Sequence, residues 1–126
     1  MPRELPAHRK LLAALEGLPE VAEGAFYGYP SFKIGKKFLC RVKDADTLVV
    51  ACALEEKEML MAAASGVYFE TDHYKGWPAV LVHINEIEPE ELRHRLRKAW
   101  LLQAPKRLAK KFLGGHGNCQ GEFTPS

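Results

Sequence analysis

The stretch from Ser31 to Cys52 constrains the fold more than any other, because alternation on two neighbouring runs sets a sheet register without outside help. Phe38, Cys40 and Val42 alternate with Lys37, Leu39, Arg41 and Lys43, while Leu48, Val50 and Cys52 alternate with Thr47, Val49 and Ala51. This two-residue period is that of strands. Asp44, Ala45 and Asp46 separate the runs. Pairing Lys43 with Thr47 sets Val42 against Leu48, Cys40 against Val50 and Phe38 against Cys52, an apolar face that a one-residue slip would turn outward. Upstream, a three-residue loop of Gly35, Lys36 and Lys37 sets Ile34 against Phe38 and Phe32 against Cys40, extending the same face. A two-residue Gly35-Lys36 turn would oppose Lys33 to Phe38. The longer loop is therefore expected, with Gly35 supplying any positive φ, and a meander of three antiparallel strands results.

At 126 residues, 47% of them hydrophobic, the chain is long enough for one domain with a core that needs no disulfide or metal staple. No apolar run approaches a membrane span, and Met1 to Lys10 carries no signal-peptide pattern, so a cytoplasmic protein with no membrane partner is expected. The three cysteines, Cys40, Cys52 and Cys119, are an odd number, and Cys40 and Cys52 face different residues in the proposed register, so disulfides are not expected. The two strand cysteines read as small buried apolar side chains rather than redox or metal groups.

The formal net charge of +2 conceals an asymmetry. Met1 to Glu91 holds ten Lys/Arg against fifteen Asp/Glu, whereas Leu92 to Leu113 holds eight Lys/Arg and no acid. An acidic body with a basic end steers a polyanion toward one face.

Leu5 to Gly17 reads as a first helix with Leu5, Leu12 and Leu15 on one face and Gly17 as its stop. Gly24 to Tyr29, rich in aromatics and closed by Pro30, reads as a short edge strand. Leu54 to Ala64 is a second helix whose Glu55, Glu56 and Glu58 form a solvated face, since no His or Cys stands at ligand spacing. Strands at Val67–Thr71 and Ala79–Ile84 flank a long tip, Asp72 to Pro78, that offers a donor, a cation and two aromatics. A third helix opens at Glu88-Pro89-Glu90-Glu91, where proline and carboxylates are favoured. Leu92, Leu96, Ala99, Trp100 and Gln103 form its sheet-facing stripe, with Arg95 bordering it. Pro105 ends that helix or begins another, in which Leu108, Ala109, Phe112 and Leu113 oppose Lys106, Arg107, Lys110 and Lys111. Such a basic amphipathic segment suits phosphate backbones, anionic lipid or an acidic partner, or serves solubility alone. The domain is expected to span residues 1–113, and the glycine-rich tail 114–126, with its His116-x-x-Cys119 pair, to be mobile.

The expected class is α+β: a twisted antiparallel sheet of five to six strands packed with three to four helices. Leu18-Pro19, the run from Tyr27 through Gly28, Tyr29, Pro30, Ser31, Phe32, Lys33, Ile34, Gly35, Lys36 and Lys37 to Phe38, the run Thr71 to Pro78, and Trp100 with Ala104-Pro105-Lys106-Arg107-Leu108 together resemble the MmcQ/YjbR-like family over nearly the whole chain. The resemblance implies a small bacterial domain similar to the double-wing architecture of a phage transcription factor's DNA-binding domain, in a family described as predicted to bind DNA. The motif positions it offers to DNA are Lys33, Lys36 and Lys37 on the first hairpin, Lys75 and Trp77 on the second, and Lys106 and Arg107 after the third helix. Ala79 departs from the pattern, since relatives often place an aromatic after the proline.

The expectation is thus a non-enzymatic protein without cofactor or metal. It would bind DNA with low sequence specificity, using the hairpins as wings and the basic segment, Lys110 and Lys111 included, as a phosphate anchor. The alternative is a module for a small molecule or a protein partner in which Tyr27, Tyr29, His73 and Tyr74 line a pocket. An enzyme is disfavoured because no nucleophile–base pair, phosphate loop or metal set is evident.

Overall fold

The computed structural model describes residues 6–26 and 28–116. Helix α1, Pro6–Leu15, leads into strands β1, Val21–Phe26, β2, Tyr29–Ile34, β3, Lys37–Asp44, and β4, Thr47–Ala51. Helix α2, Leu54–Ala63, is followed by β5, Tyr68–Phe69, a 3-10 turn at Asp72–Tyr74, and β6, Ala79–His83. Helices α3, Pro89–Gln103, and α4, Lys106–His116, complete it. The six strands form one sheet in the order β1-β2-β3-β4-β6-β5, every neighbouring pair antiparallel, so the expected α+β class holds.

The central register is the one that alternation dictates. Phe32 faces Cys40, Cys40 faces Val50 and Val42 faces Leu48. Val50 and Leu48 continue across to Val80 and Val82. These residues form the main core with Leu11, Ala14 and Leu15 of α1, Leu92, Leu96, Ala99 and Trp100 of α3, and Leu108 of α4. The inward position on α1 is Leu11 rather than Leu12, which is exposed; Leu5 lies outside the described residues. Gly17, at φ +92°, ends that helix. Trp100, fully buried, donates its indole N–H to the Pro19 carbonyl at 2.9 Å and pins the segment between α1 and β1.

Both ends of β3 differ from expectation. The β2–β3 connection is the two-residue Gly35-Lys36 turn: Ile34 pairs with Lys37 and Lys33 with Phe38, and the register then shifts before Phe32 meets Cys40. Gly35 does take positive φ, +62°. The extra residue is absorbed as a β-bulge, which lets Leu39 and Cys40 both enter the main core while Phe38 wedges between that core and a smaller one on the opposite face. At the other end Asp44, not Lys43, pairs with Thr47, through a second irregularity after Val42. Here the Asp44 carboxylate accepts the Asp46 N–H at 2.9 Å, which closes a tighter turn than the apolar pairs require. The opposition of Phe38 to Cys52 also fails, because the Cys52 N–H is taken by the Pro78 carbonyl at 3.0 Å.

The edge strand begins at Val21, earlier than expected, and Tyr29-Pro30 belongs to β2. Strand β5 is two residues long, shorter than the predicted Val67–Thr71. Helix α4 continues through Gly114 to His116, past the expected boundary at Leu113. The rest of the expected tail, Cys119 included, lies outside the described residues.

Candidate functional site

The register decides which separated residues meet. Because β2 runs toward Gly35, β3 starts at Lys37, β4 ends at Ala51 and β6 starts at Ala79 opposite Ala51, the β2–β3 turn and the Trp77-Pro78 approach share one end of the sheet. The corner between α3 and α4 is brought to the same end by Gln103, whose carboxamide donates to the Phe38 carbonyl at 2.8 Å. Proline at 105 forces that corner, since residue 104 before it leaves the helical region at ψ 149°. Lys36, Lys37, Lys75, Trp77, Lys106 and Arg107 are therefore gathered from three stretches of sequence, and all six are exposed. Lys33 is exposed on β2 beside them, and Lys110 and Lys111 extend the strip one turn along α4. None of these cations is held in an ion pair with a described residue. Glu55 is exposed at the start of α2.

The Asp72–Pro78 loop is rigidly mounted. Lys57 of α2 is only 2% exposed, and its ammonium donates to the Tyr74 carbonyl at 2.8 Å and the Trp77 carbonyl at 2.9 Å while pairing with the Glu70 carboxylate at 2.8 Å. Three donors meet three acceptors, which is how a buried ammonium is tolerated. Tyr74 folds onto the second sheet face with Val49, Ala79 and Leu81. His73 stacks on Trp77 with centroids 5.9 Å apart and meets Tyr74 edge-on at 5.0 Å. Trp77 keeps 54% of its surface exposed.

Of the tyrosines expected to line a pocket, the two described ones pack against the two cores. Tyr27 lies outside the described residues, Tyr29 is half-buried against the main core, and Tyr74 is buried. The two aromatic regions are instead joined by Arg41, a residue that sequence reasoning passed over. Its guanidinium sits 4.7 Å from the centroid of the Phe26 ring and donates to the Tyr74 hydroxyl. The available signal was a lone arginine between Cys40 and Val42, on the face that alternation assigns away from the core.

Elsewhere the carboxylate of Glu56 accepts from Arg95 at 2.7 Å and from Lys98 at 3.0 Å. Partial burial pushes its pKa up, but those two hydrogen bonds and the charges behind them outweigh it and leave the group below the usual carboxylate value. Glu56 is thus an ion-pair hub rather than part of a solvated face. Among the described residues no three His, Cys, Asp or Glu side chains are grouped as metal ligands. No described helix is long and apolar enough to cross a membrane.

Fold and site together define a small α+β domain whose open antiparallel sheet carries helices on one face and a basic, tryptophan-bearing end. The chain belongs to the YjbR family, whose model matches residues 16–102. It is 36% identical over 120 residues to uncharacterised proteins of Mycobacterium bovis and Mycobacterium tuberculosis, a match covering 80% of this chain and 91% of theirs. It also superposes on the crystal structure of a Deinococcus radiodurans protein with the family-model domain DUF419, at TM-score 0.66 and 18% identity, over 89% of this chain and 90% of that one. The second likeness is one of fold.

Proposed function

We propose that the domain is a non-enzymatic DNA-contacting module that grips duplex phosphates with its basic end and has low sequence selectivity. The observation that carries the reading is the Gln103–Phe38 hydrogen bond, which places the Lys106-Arg107 corner beside the Lys36-Lys37 hairpin. Four exposed cations from two distant parts of the sequence, none ion-paired with a described residue, thereby lie near one another. The side chains at this end supply charge and stacking, the chemistry of backbone recognition. Lysine and arginine on phosphates fix register without reading sequence. Trp77, exposed on a loop that Lys57 holds still, offers a ring to an unstacked base.

The test is fluorescence-anisotropy titration of labelled duplex and single-stranded DNA at low and physiological salt. It compares the wild type with Lys106→Glu/Arg107→Glu/Lys110→Glu and with Lys36→Glu/Lys37→Glu, each checked for folding by circular dichroism. Four phosphate contacts give a slope near −3.6 in log affinity against log salt, or about a hundredfold loss between 50 and 200 mM. The expected result is binding with that salt dependence, abolished by either charge reversal. No binding at low salt, or binding that both folded variants retain, overturns the proposal.

A further inference from the structure

A cavity of about 300 Å³ lies between the ends of β4 and β6 and helices α2 and α3. Its walls are Val50, Val80, Ala99, Leu101 and Leu102, with the Cys52 thiol among them. Glu56, Arg95 and Lys98 supply its charges. None of these residues belongs to the proposed DNA-contacting strip.

Two features set this cavity apart from a packing defect. The first is charge. Two cations meet one carboxylate, and a single oxygen of Glu56 accepts from both Arg95 and Lys98. Lys98 is about half exposed, so its ammonium keeps donors to spare. The second is an unmet donor. The Arg95 side chain is nine-tenths buried, yet its Nε–H has no acceptor among the described residues. Nearly all buried donors in folded proteins are paired, so an orphan beside a cavity calls for an acceptor. Meanwhile Leu102, 48% exposed, holds an apolar lip.

We propose that this cavity is a binding site for a small amphipathic monocarboxylate, its head accepting from Lys98 and Arg95 and its hydrocarbon body lying against Val50, Val80, Ala99 and Leu102. The volume is at the lower end of small-molecule sites, which suits a medium-chain acid rather than a nucleotide. The excess positive charge selects an anion over a neutral or cationic analogue of the same length, since charge-assisted hydrogen bonds are the stronger kind.

The test uses octanoate as the probe, with octanol and octylamine as neutral and cationic controls, titrated into the full chain by calorimetry and by amide chemical-shift mapping. Octanoate is expected to bind saturably, moving amides at Cys52, Glu56, Lys98 and Ala99, while the two controls bind at least about tenfold more weakly. Lys98→Gln removes the accessible cation, and Leu102→Glu sets a carboxylate at the exposed lip. Each should weaken octanoate about tenfold or more while leaving the thermal midpoint near wild type, because both positions are half exposed. Octanoate that fails to bind, binds no better than octanol, moves amides elsewhere, or binds both folded variants unchanged overturns the assignment. DNA binding by Lys98→Gln and Leu102→Glu is expected to match wild type, so this site and the phosphate strip succeed or fail separately.

Discussion

Replacing Lys57 with methionine keeps most of the side chain's length and apolar stem and deletes only the ammonium. Three acceptors then lose a donor: the Glu70 carboxylate and the carbonyls of Tyr74 and Trp77, of which the two carbonyls each keep a backbone N–H, from Trp77 at 2.9 Å and Ala79 at 2.8 Å. Stranding one partner of a buried ion pair costs about 3 to 5 kcal/mol, whereas the two carbonyls stay paired with backbone N–H groups and add little to it. The Glu70 side chain is 24% exposed, so water relieves part of the first penalty. An overall loss of about 3 kcal/mol follows, at the low end of the buried-pair range. For a chain of this size that lowers the thermal midpoint by about 10 to 15 °C. Urea denaturation measures the free energy, and amide hydrogen exchange shows whether residues 70–78 open first. In Lys57→Met/Glu70→Gln the uncompensated carboxylate is gone, and about 1 kcal/mol or more should return as coupling between the two sites. A loss below about 1 kcal/mol with unchanged exchange in the loop would refute the reasoning, because the ammonium would then not be what holds the loop.

Four other outcomes follow from the same contacts. Phe38→Ala should cost about 2 kcal/mol, less than the 3 to 5 of a fully buried ring, because the ring is half-buried where the two cores meet; a loss under about 1 kcal/mol in urea denaturation would remove it from both. The Cys52 thiol is pushed up to about 11 by burial and then by the charge of Glu56, against smaller opposing effects of Arg95, Lys57 and Lys98. Iodoacetamide at pH 8 should therefore modify Cys52 about two orders of magnitude more slowly in the folded than in the urea-unfolded protein, read peptide by peptide by mass spectrometry. Because the folded pKa of Glu56 is depressed, its ion pairs stabilise the protein above the unfolded carboxylate value near 4.3 and lose that contribution as pH falls through the folded value. Glu56→Gln should flatten the acid limb of a plot of thermal midpoint against pH, and an unchanged limb would count against the pairing. Gln103→Leu removes the tie to Phe38 without touching a charge, and should weaken duplex binding at low salt several-fold while wild-type binding by that variant would detach the tie from function.

How far the sequence reaches depends on whether local pattern or distant partner decides a residue's place. Strand alternation and the spacing of Leu92, Leu96, Ala99 and Trp100 are local, and the core follows them. Lys57 is the opposite case. Set among Glu55, Glu56 and Glu58, it reads as one more solvated charge, yet it is among the most buried side chains because its acceptors come from a loop 13 to 20 residues further on. Arg41 is legible only in outline. Alternation gives its face, whereas Phe26 and Tyr74, which bracket it, arrive from a neighbouring hairpin and from that same loop. The cations of the candidate interface were visible one by one, but their assembly was not, since nothing in the residues around Gln103 announces a bond to Phe38.

The bulge in β3 links these observations. With the longer loop, Lys37 would lie in the turn and Phe38 would sit in the core face with Cys40. The observed two-residue turn puts Lys37 into the ladder opposite Ile34 and leaves one residue too many before Cys40. Taking up that residue costs a step of the ladder, and a backbone group out of step needs a partner from elsewhere. At Phe38 the Gln103 carboxamide reaches the carbonyl at 2.8 Å. The irregularity that hides the register from a pattern-based reading thus supplies the acceptor that ties α3 to the hairpin.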